Sequence, residues 1–167
     1  RNIIKYFNNS VNRRDFLKQA SILGLGTMLI PNIGFTNPLG FHKGQKIRIG
    51  LIGVGLRGRS SLNLLLQRDD VIVHSICDID ELAINASKAL FTKHNKTQPK
   101  IFKKDEYSYQ DLLEQKKIDG VIISTPWRWH FKMAIDAMKA GKYTGMEVGG
   151  ALNIQECWDL VNTHEET

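Results

Sequence analysis

At 167 residues the chain has room for one ordinary domain and a short leader, and its 42% hydrophobic and 24% charged content sets disorder aside. The net charge of +6 is concentrated at the front, where Arg1, Lys5, Arg13, Arg14 and Lys18 face only Asp15, so residues 1–18 supply +4 of it. No basic stripe with interleaved aromatics follows, which argues against nucleic acid as a partner.

In chain order, Asn12-Arg13-Arg14-Asp15-Phe16-Leu17-Lys18 precedes a mildly apolar run from Ala20 to Ile30 that Pro31 closes. A charged segment, a short apolar segment and then small and polar residues is the layout of a secretory signal. The apolar run is too short to span a bilayer. The adjacent arginines followed by Phe-Leu-Lys resemble the twin-arginine translocation motif, with Asn12 where Ser or Thr is usual. Residues 1–36 are therefore read as a twin-arginine export signal, implying the twin-arginine machinery as a partner and a periplasmic destination. No clean Ala-x-Ala site follows, which leaves open where the leader is cut and whether it persists as an anchor. That pathway carries folded proteins, which suits a protein that takes up a soluble cofactor before leaving the cytoplasm. Residues 37–45, with Pro38, Gly40, Gly44 and several polar residues, read as a linker.

From residue 46 to residue 167 apolar runs alternate with helical patterns. Strands are expected at Ile47 to Ile52, Val71 to Cys77, Gly120 to Ser124 and Tyr143 to Val148. Helices are expected at Arg59 to Arg68, about Asp80 to His94, Tyr109 to Lys116, Phe131 to Ala140 and Ile154 to Glu166. Strands separated by helices predict an α/β fold, a doubly wound parallel sheet of Rossmann type with helices on both faces. Cys77 and Cys157 form neither a CxxC pair nor a Cys/His cluster, so no structural zinc is expected. Both fall inside expected regular elements and read as buried free thiols.

Gly53-Val54-Gly55-Leu56-Arg57-Gly58 lies between the first strand and the first helix, the context in which a GxGxxG pattern carries meaning. Gly53 permits the tight turn, Gly55 lets backbone approach a pyrophosphate, and Gly58 lets helix and strand pack closely. Asp78 follows the second strand twenty residues beyond Gly58, where a carboxylate accepts hydrogen bonds from adenosine ribose hydroxyls. It would repel a 2′-phosphate, which favours NAD over NADP, whereas Arg57 is placed to attract one. Ligands of such sheets sit at the carboxyl ends of the strands. There Ser124-Thr125-Pro126-Trp127-Arg128-Trp129-His130 puts three large rings, read as walling the cofactor near its nicotinamide, and Glu147 closes the next strand.

With these residues in place, the sequence resembles the Gfo/Idh/MocA oxidoreductase superfamily and, more narrowly, glycoside hydrolase family 109, the NAD-dependent α-N-acetylgalactosaminidases. The resemblance rests on Val54-Gly55-Leu56-Arg57-Gly58, Cys77-Asp78, Thr125 to His130, Gly145-Met146-Glu147-Val148 and Glu156-Cys157-Trp158. It implies that Leu56, Arg57, Asp78, Trp127, Arg128, Trp129, His130, Glu147 and Val148 contact NAD. Arg128 stands where the family pattern has Glu. Many superfamily dehydrogenases carry Glu-Lys-Pro after the fourth of these strands, the Lys assisting proton transfer; here Val148-Gly149 replaces Lys-Pro. That points to the glycosidase branch, in which the sugar is oxidised at C3, the aglycone eliminated, water added and C3 re-reduced, with no net redox change. Such chemistry differs from hydrolysis by paired carboxylates, of which none is apparent. The resemblance further implies a glycan or sugar substrate and a separate substrate domain that supplies the groups acting on the sugar, beyond Thr167. Homo-oligomerisation is left open. The alternatives are a sugar oxidoreductase of the same superfamily and a non-catalytic nucleotide-binding fragment.

Overall fold

The computed structural model describes residues 44–167. The expected export signal and all but the last two residues of the expected linker lie outside the described residues. Five strands, β1 (Ile47–Ile52), β2 (Val71–Cys77), β3 (Lys100–Phe102), β4 (Gly120–Ile123) and β5 (Tyr143–Met146), form one parallel sheet in the order β3-β2-β1-β4-β5. Five helices cross between or follow them: α1 (Leu56–Leu65), α2 (Glu81–Lys93), α3 (Ser108–Leu113), α4 (Trp127–Lys139) and α5 (Ile154–Glu166). The chain leaves β1 toward β2 on one side and returns past β1 to β4 on the other. The order therefore reverses beside β1, and a ligand crevice is expected there, at the carboxyl ends of β1 and β4.

Alternation along the strands sends neighbouring residues to opposite faces. Leu51 on β1 joins Leu62, Leu66, Ile76, Ile84 and Phe91 under α1 and α2, while Ile52 joins Tyr109, Leu112, Ile123, Met133 and Ala137 under α3 and α4. The helices thus cover both faces, as the sequence pattern implies. Gly50 keeps the second face close: a Cβ there would fall 2.8 Å from a methyl of Leu112.

Several boundaries differ from expectation. β3 was not foreseen, because three residues between Pro99 and two lysines carry too little apolar signal for a strand. It exists because Ser75, Ile76 and Cys77 of β2 offer it a paired edge. α1 begins at Leu56, not Arg59, so Gly58 belongs to its first turn. α4 begins at Trp127, not Phe131, so the ring-rich block belongs to its first turns. β4 and β5 stop at Ile123 and Met146, which leaves Ser124, Glu147 and Val148 in the connections. Cys77 is buried as expected, but Cys157 is exposed, because α5 is largely solvent-facing, with Thr163 its one buried residue. Burial raises the Cys77 thiol to about 12, so it remains a neutral, inert side chain.

At the opposite end of the sheet from the crevice, Asp119 clamps β1 to β4. Its carboxylate accepts hydrogen bonds from the Arg48 backbone N–H at 2.8 Å, from Nε at 3.1 Å and from Nη2 at 2.8 Å. These bonds, with the Arg48 charge and the more distant Lys142, hold the Asp119 carboxyl below the usual carboxylate range against the opposing effect of burial. A depressed folded-state value means the clamp stabilises the fold above the unfolded value, near pH ~4, and fails as pH falls through the folded value. Asp119→Asn should therefore lower the urea midpoint at neutral pH, and the gap to the wild type should close in acid. A gap that stays constant down to the acid limb would contradict this role.

Candidate cofactor site

The glycine loop is built by two close approaches that no side chain could survive. Gly53 ends β1 with φ +86, and a Cβ there would lie 2.7 Å from the carbonyl carbon of Ser124, so it permits β1 and β4 to part with their backbones in contact. A Cβ on Gly58 would lie 2.0 Å from the Gly53 carbonyl oxygen, so α1 rests directly on the end of β1. Gly55 is different: its φ is −62 and nothing lies within 4 Å of where its Cβ would be. The open space in front of Gly55 is the space through which a ligand reaches the backbone.

Asp78 holds this loop from the β2 side. The Val54 N–H donates to its Oδ2 at 2.7 Å and the Asp80 N–H to its Oδ1 at 3.0 Å. Each carboxylate oxygen has a further lone pair to offer, so Asp78 can position the loop and still accept from ribose hydroxyls. Asp80 caps α2 by accepting from the Leu82 N–H at 2.8 Å.

The two helices that point into the crevice have no such caps. α1 follows Gly55 and α4 follows Pro126, neither with a capping side chain nor with an acid in its first turn. Their first N–H groups and the positive ends of their dipoles therefore face the same space, each favouring a nearby anion by about 0.3–1 kcal/mol. α2, whose cap Asp80 also borders the crevice, and α5 are by contrast capped by the Asp80 and Asn153 side chains.

The crevice itself has a volume of about 440 Å³. Of the residues singled out in the sequence, Gly53, Gly55, Leu56, Arg57, Asp78, Arg128 and Trp129 line it. Gly58 does not, since it is buried behind the loop. Ser124 and Thr125, quoted at the strand end but given no role, line it too, as do Asp80, Asp105, Glu106 and Met133, which the sequence did not single out. Asp105 and Glu106 follow the unforeseen β3, and Met133 is one turn beyond Trp129 on a helix whose start had been placed too late.

The rings separate instead of forming one wall. Trp129 meets Tyr107, in the connection after β3, edge-on with centroids 5.7 Å apart, and packs against the core cluster that includes Cys77 at the Asp78 end of the crevice. That is the adenosine end if Asp78 takes the ribose, so Trp129 is not near the nicotinamide position assigned to it from sequence. Trp127 lies at the other end, against Gly149. His130 is buried, 1% exposed, and does not line the crevice. Its Nε2 donates to the Thr125 carbonyl at 2.6 Å, so it braces the turn between β4 and α4.

Glu147 receives a hydrogen bond from Arg57 Nη2 at 3.4 Å, joining the start of α1 to the connection after β5. Arg57 is thus held toward β5, away from the Asp78 end. Four carboxylates, Asp78, Asp80, Asp105 and Glu106, gather at that end, which disfavours the 2′-phosphate that Arg57 was placed to attract. Val148 is exposed and flanks the same connection. Among the described residues no group of His, Cys, Asp and Glu is arranged to hold a metal ion.

Loop, uncapped helices and acidic end together define a dinucleotide-binding domain of Rossmann type. The family model of the Gfo/Idh/MocA oxidoreductases, described as an NAD-binding Rossmann fold, matches residues 47–167. The chain belongs to that family, and its cofactor is NAD.

Among curated proteins it is 36% identical to a glycosyl hydrolase family 109 protein of Shewanella sp. (strain W3-18-1), over 95% of this chain and 38% of that protein. It is also 36% identical to a glycosyl hydrolase family 109 protein of Stenotrophomonas maltophilia (strain K279a), over 95% of this chain and 34% of that protein. The chain thus spans little more than a third of the curated relatives it matches. Among solved structures it is similar to the WlbA dehydrogenase of Bordetella pertussis in complex with NADH and UDP-GlcNAcA. That match has a TM-score of 0.63 and 25% identity, covering 75% of this chain and 34% of that one. Scyllo-inositol dehydrogenase of Lactobacillus casei with NAD(H) and scyllo-inositol shares the fold, with a TM-score of 0.62 and 17% identity over 73% of this chain and 34% of that one.

The glycines make a sharp prediction. Gly58→Ala should destabilise the fold by about 3 kcal/mol, because helix and strand must separate. Gly55→Ala should leave the urea midpoint nearly unchanged yet weaken NAD binding about tenfold or more by calorimetry. Equal stability losses for the two, or unaltered affinity in Gly55→Ala, would contradict the loop's assigned division of labour.

Proposed function

We propose that this chain is the cofactor-binding part of an exported NAD-dependent glycosidase of the α-N-acetylgalactosaminidase type. Support comes from the similarity to glycosyl hydrolase family 109 proteins along 95% of the chain and from the residues at the β5 end. The observation that carries the reading is Glu147-Val148-Gly149 at the position where superfamily dehydrogenases carry Glu-Lys-Pro. An exposed valine transfers no proton, so the acid–base groups that serve a simple sugar dehydrogenase are not supplied from this strand end.

NAD, when bound, supplies a hydride acceptor that is restored within each turnover, so that C3 of the sugar can be oxidised and later reduced without net redox change. The chain's own residues bind and orient. The glycine loop and the start of α1 receive the pyrophosphate, and Asp78 receives the adenosine ribose while keeping the loop closed through Val54. Trp129 and Tyr107 shield the adenosine end from water. The groups that move protons on the sugar would come from the part of the protein that the relatives possess beyond the matched third. The Arg13-Arg14 signal would deliver the folded, cofactor-loaded protein to glycans outside the cytoplasm.

A second reading, a sugar oxidoreductase, is favoured by the similarity to a dehydrogenase solved with NADH and a nucleotide sugar. The full-length protein, assayed with an aryl α-N-acetylgalactosaminide and no added NAD, separates the two. The glycosidase reading expects steady aryl release without net NADH formation. Net NADH formed from a free sugar, with no aryl release, would replace it with the dehydrogenase reading.

A further inference from the structure

At the end of the sheet away from the crevice, β2 begins without a strand on its outer side. β3 pairs with it only at Ser75, Ile76 and Cys77, so Val71 to His74 form an open edge among the described residues. The segment that leads into β3 is held off that edge. Gln98 donates from Nε2 to the Lys88 carbonyl at 3.2 Å and to Thr92 Oγ1 at 3.1 Å, which ties the segment to α2. Pro99, next in the chain, has no N–H to offer a neighbouring strand. The gap that results is a cavity of about 460 Å³, as large as the cofactor crevice and within the range of small-molecule sites.

Its lining combines two chemistries. Leu66, Val73 and Phe91, all buried, give it an apolar floor. Lys46, Lys96, Lys100 and His74 supply its basic groups, and no carboxylate lines it. Among the described residues, Lys96 alone of these lysines meets an acid, the outlying Asp69 at 3.9 Å, while Lys100 donates to the amide oxygen of Gln115 at 3.1 Å. The buried Ser75 hydroxyl lies 2.8 Å from His74 Nδ1, and His74 Nε2 has no protein partner among the described residues. Burial holds His74 below the usual imidazole range, and the charges that add to this effect, on Lys117, Arg48 and Lys100, are all positive. A neutral ring that accepts from Ser75 at Nδ1 carries its proton on Nε2, where it can donate to an oxyanion. The cavity is thus a positive field over an apolar floor, the opposite of the acidic adenosine end of the crevice.

Lysines along an open strand edge discourage a further strand from pairing there, so an extended peptide is a poor occupant. A small organic anion suits both parts of the lining, its ring or chain covering the floor and its oxygens meeting the lysines and His74. We propose that this cavity is a second ligand site, which binds a phosphate or sulfate monoester with its organic part on Leu66, Val73 and Phe91.

The test is calorimetry on the full-length, NAD-loaded protein in low-salt buffer free of phosphate, with phenyl phosphate, phenyl sulfate and inorganic phosphate as probes. The site predicts one equivalent of phenyl ester bound with Kd of about 1 mM or tighter, and inorganic phosphate about tenfold weaker. Lys96→Gln/Lys100→Gln should weaken ester binding about tenfold or more, with the urea midpoint and retained NAD at wild-type levels. Lys46→Gln, which removes an exposed side chain without an ion pair among the described residues, should weaken it about threefold and carries the test if the double variant folds poorly. Lys116→Gln/Lys139→Gln, which removes two lysines beside α3 and α4, should leave it unchanged. Tighter binding of phenyl phosphate assigns the site to phosphate esters, and tighter binding of phenyl sulfate to sulfate esters. No saturable binding, inorganic phosphate held as tightly as the esters, or equal losses in the cavity and control variants would overturn the proposal.

Discussion

The hydrogen bond from the Val54 N–H to the Asp78 carboxylate, 2.7 Å long, sets the geometry on which the rest of the site depends. It joins the turn after β1 to the end of β2, two segments 24 residues apart in sequence. The turn can donate that bond only because Gly53 adopts a positive φ and Gly58 brings α1 within backbone contact of the Gly53 carbonyl. Remove any of the three and the start of α1 no longer points along the crevice. In the proposed reading the same carboxylate that organises the loop also receives the ribose. Binding and folding therefore share a group, which is an economical form of preorganisation.

Electrostatics then divides the crevice into two unlike ends. Uncapped helix starts at α1 and α4 offer N–H groups in the middle, suited to a pyrophosphate. Beyond Asp78 the walls turn acidic with Asp80, Asp105 and Glu106, which suits neutral hydroxyls and excludes an additional phosphate. Toward β5 the surface becomes Trp127, Glu147, Val148 and two glycines, with no lysine to take part in proton transfer. That asymmetry separates this chain from a generic nucleotide fold, and similarity to the glycosyl hydrolase family 109 proteins points the same way.

Much of this was legible in the sequence, for identifiable reasons. Continuous apolar runs at Ile47–Ile52 and Val71–Cys77 mark strands buried on both faces, and GxGxxG between strand and helix has a steric meaning that the 2.0 Å clearance at Gly58 bears out. The misses have equally physical causes. β3 owes its existence to a pairing edge on β2 rather than to its own three residues, and periodicity cannot register a strand so short. Asp105 and Glu106 were lost with it. The helix after β4 was expected only from Phe131, whereas Pro126 sits at the helix entrance and Trp127 opens α4. Once the block is helical, a turn of about 100° per residue sends Trp127, Trp129 and His130 in different directions, which is why the three rings do not form a single wall. A buried His130 that holds the Thr125 carbonyl is invisible to composition, since the same residue type in the same place equally suits a ligand contact.

The most direct measurement is a crystal structure of the full-length protein with its NAD. The account predicts adenosine beside Trp129 with its ribose hydroxyls on Asp78, the pyrophosphate over Gly55 at the start of α1, and the nicotinamide toward Glu147. A dinucleotide bound with its adenosine at the β5 end, or lying outside the crevice, would contradict it.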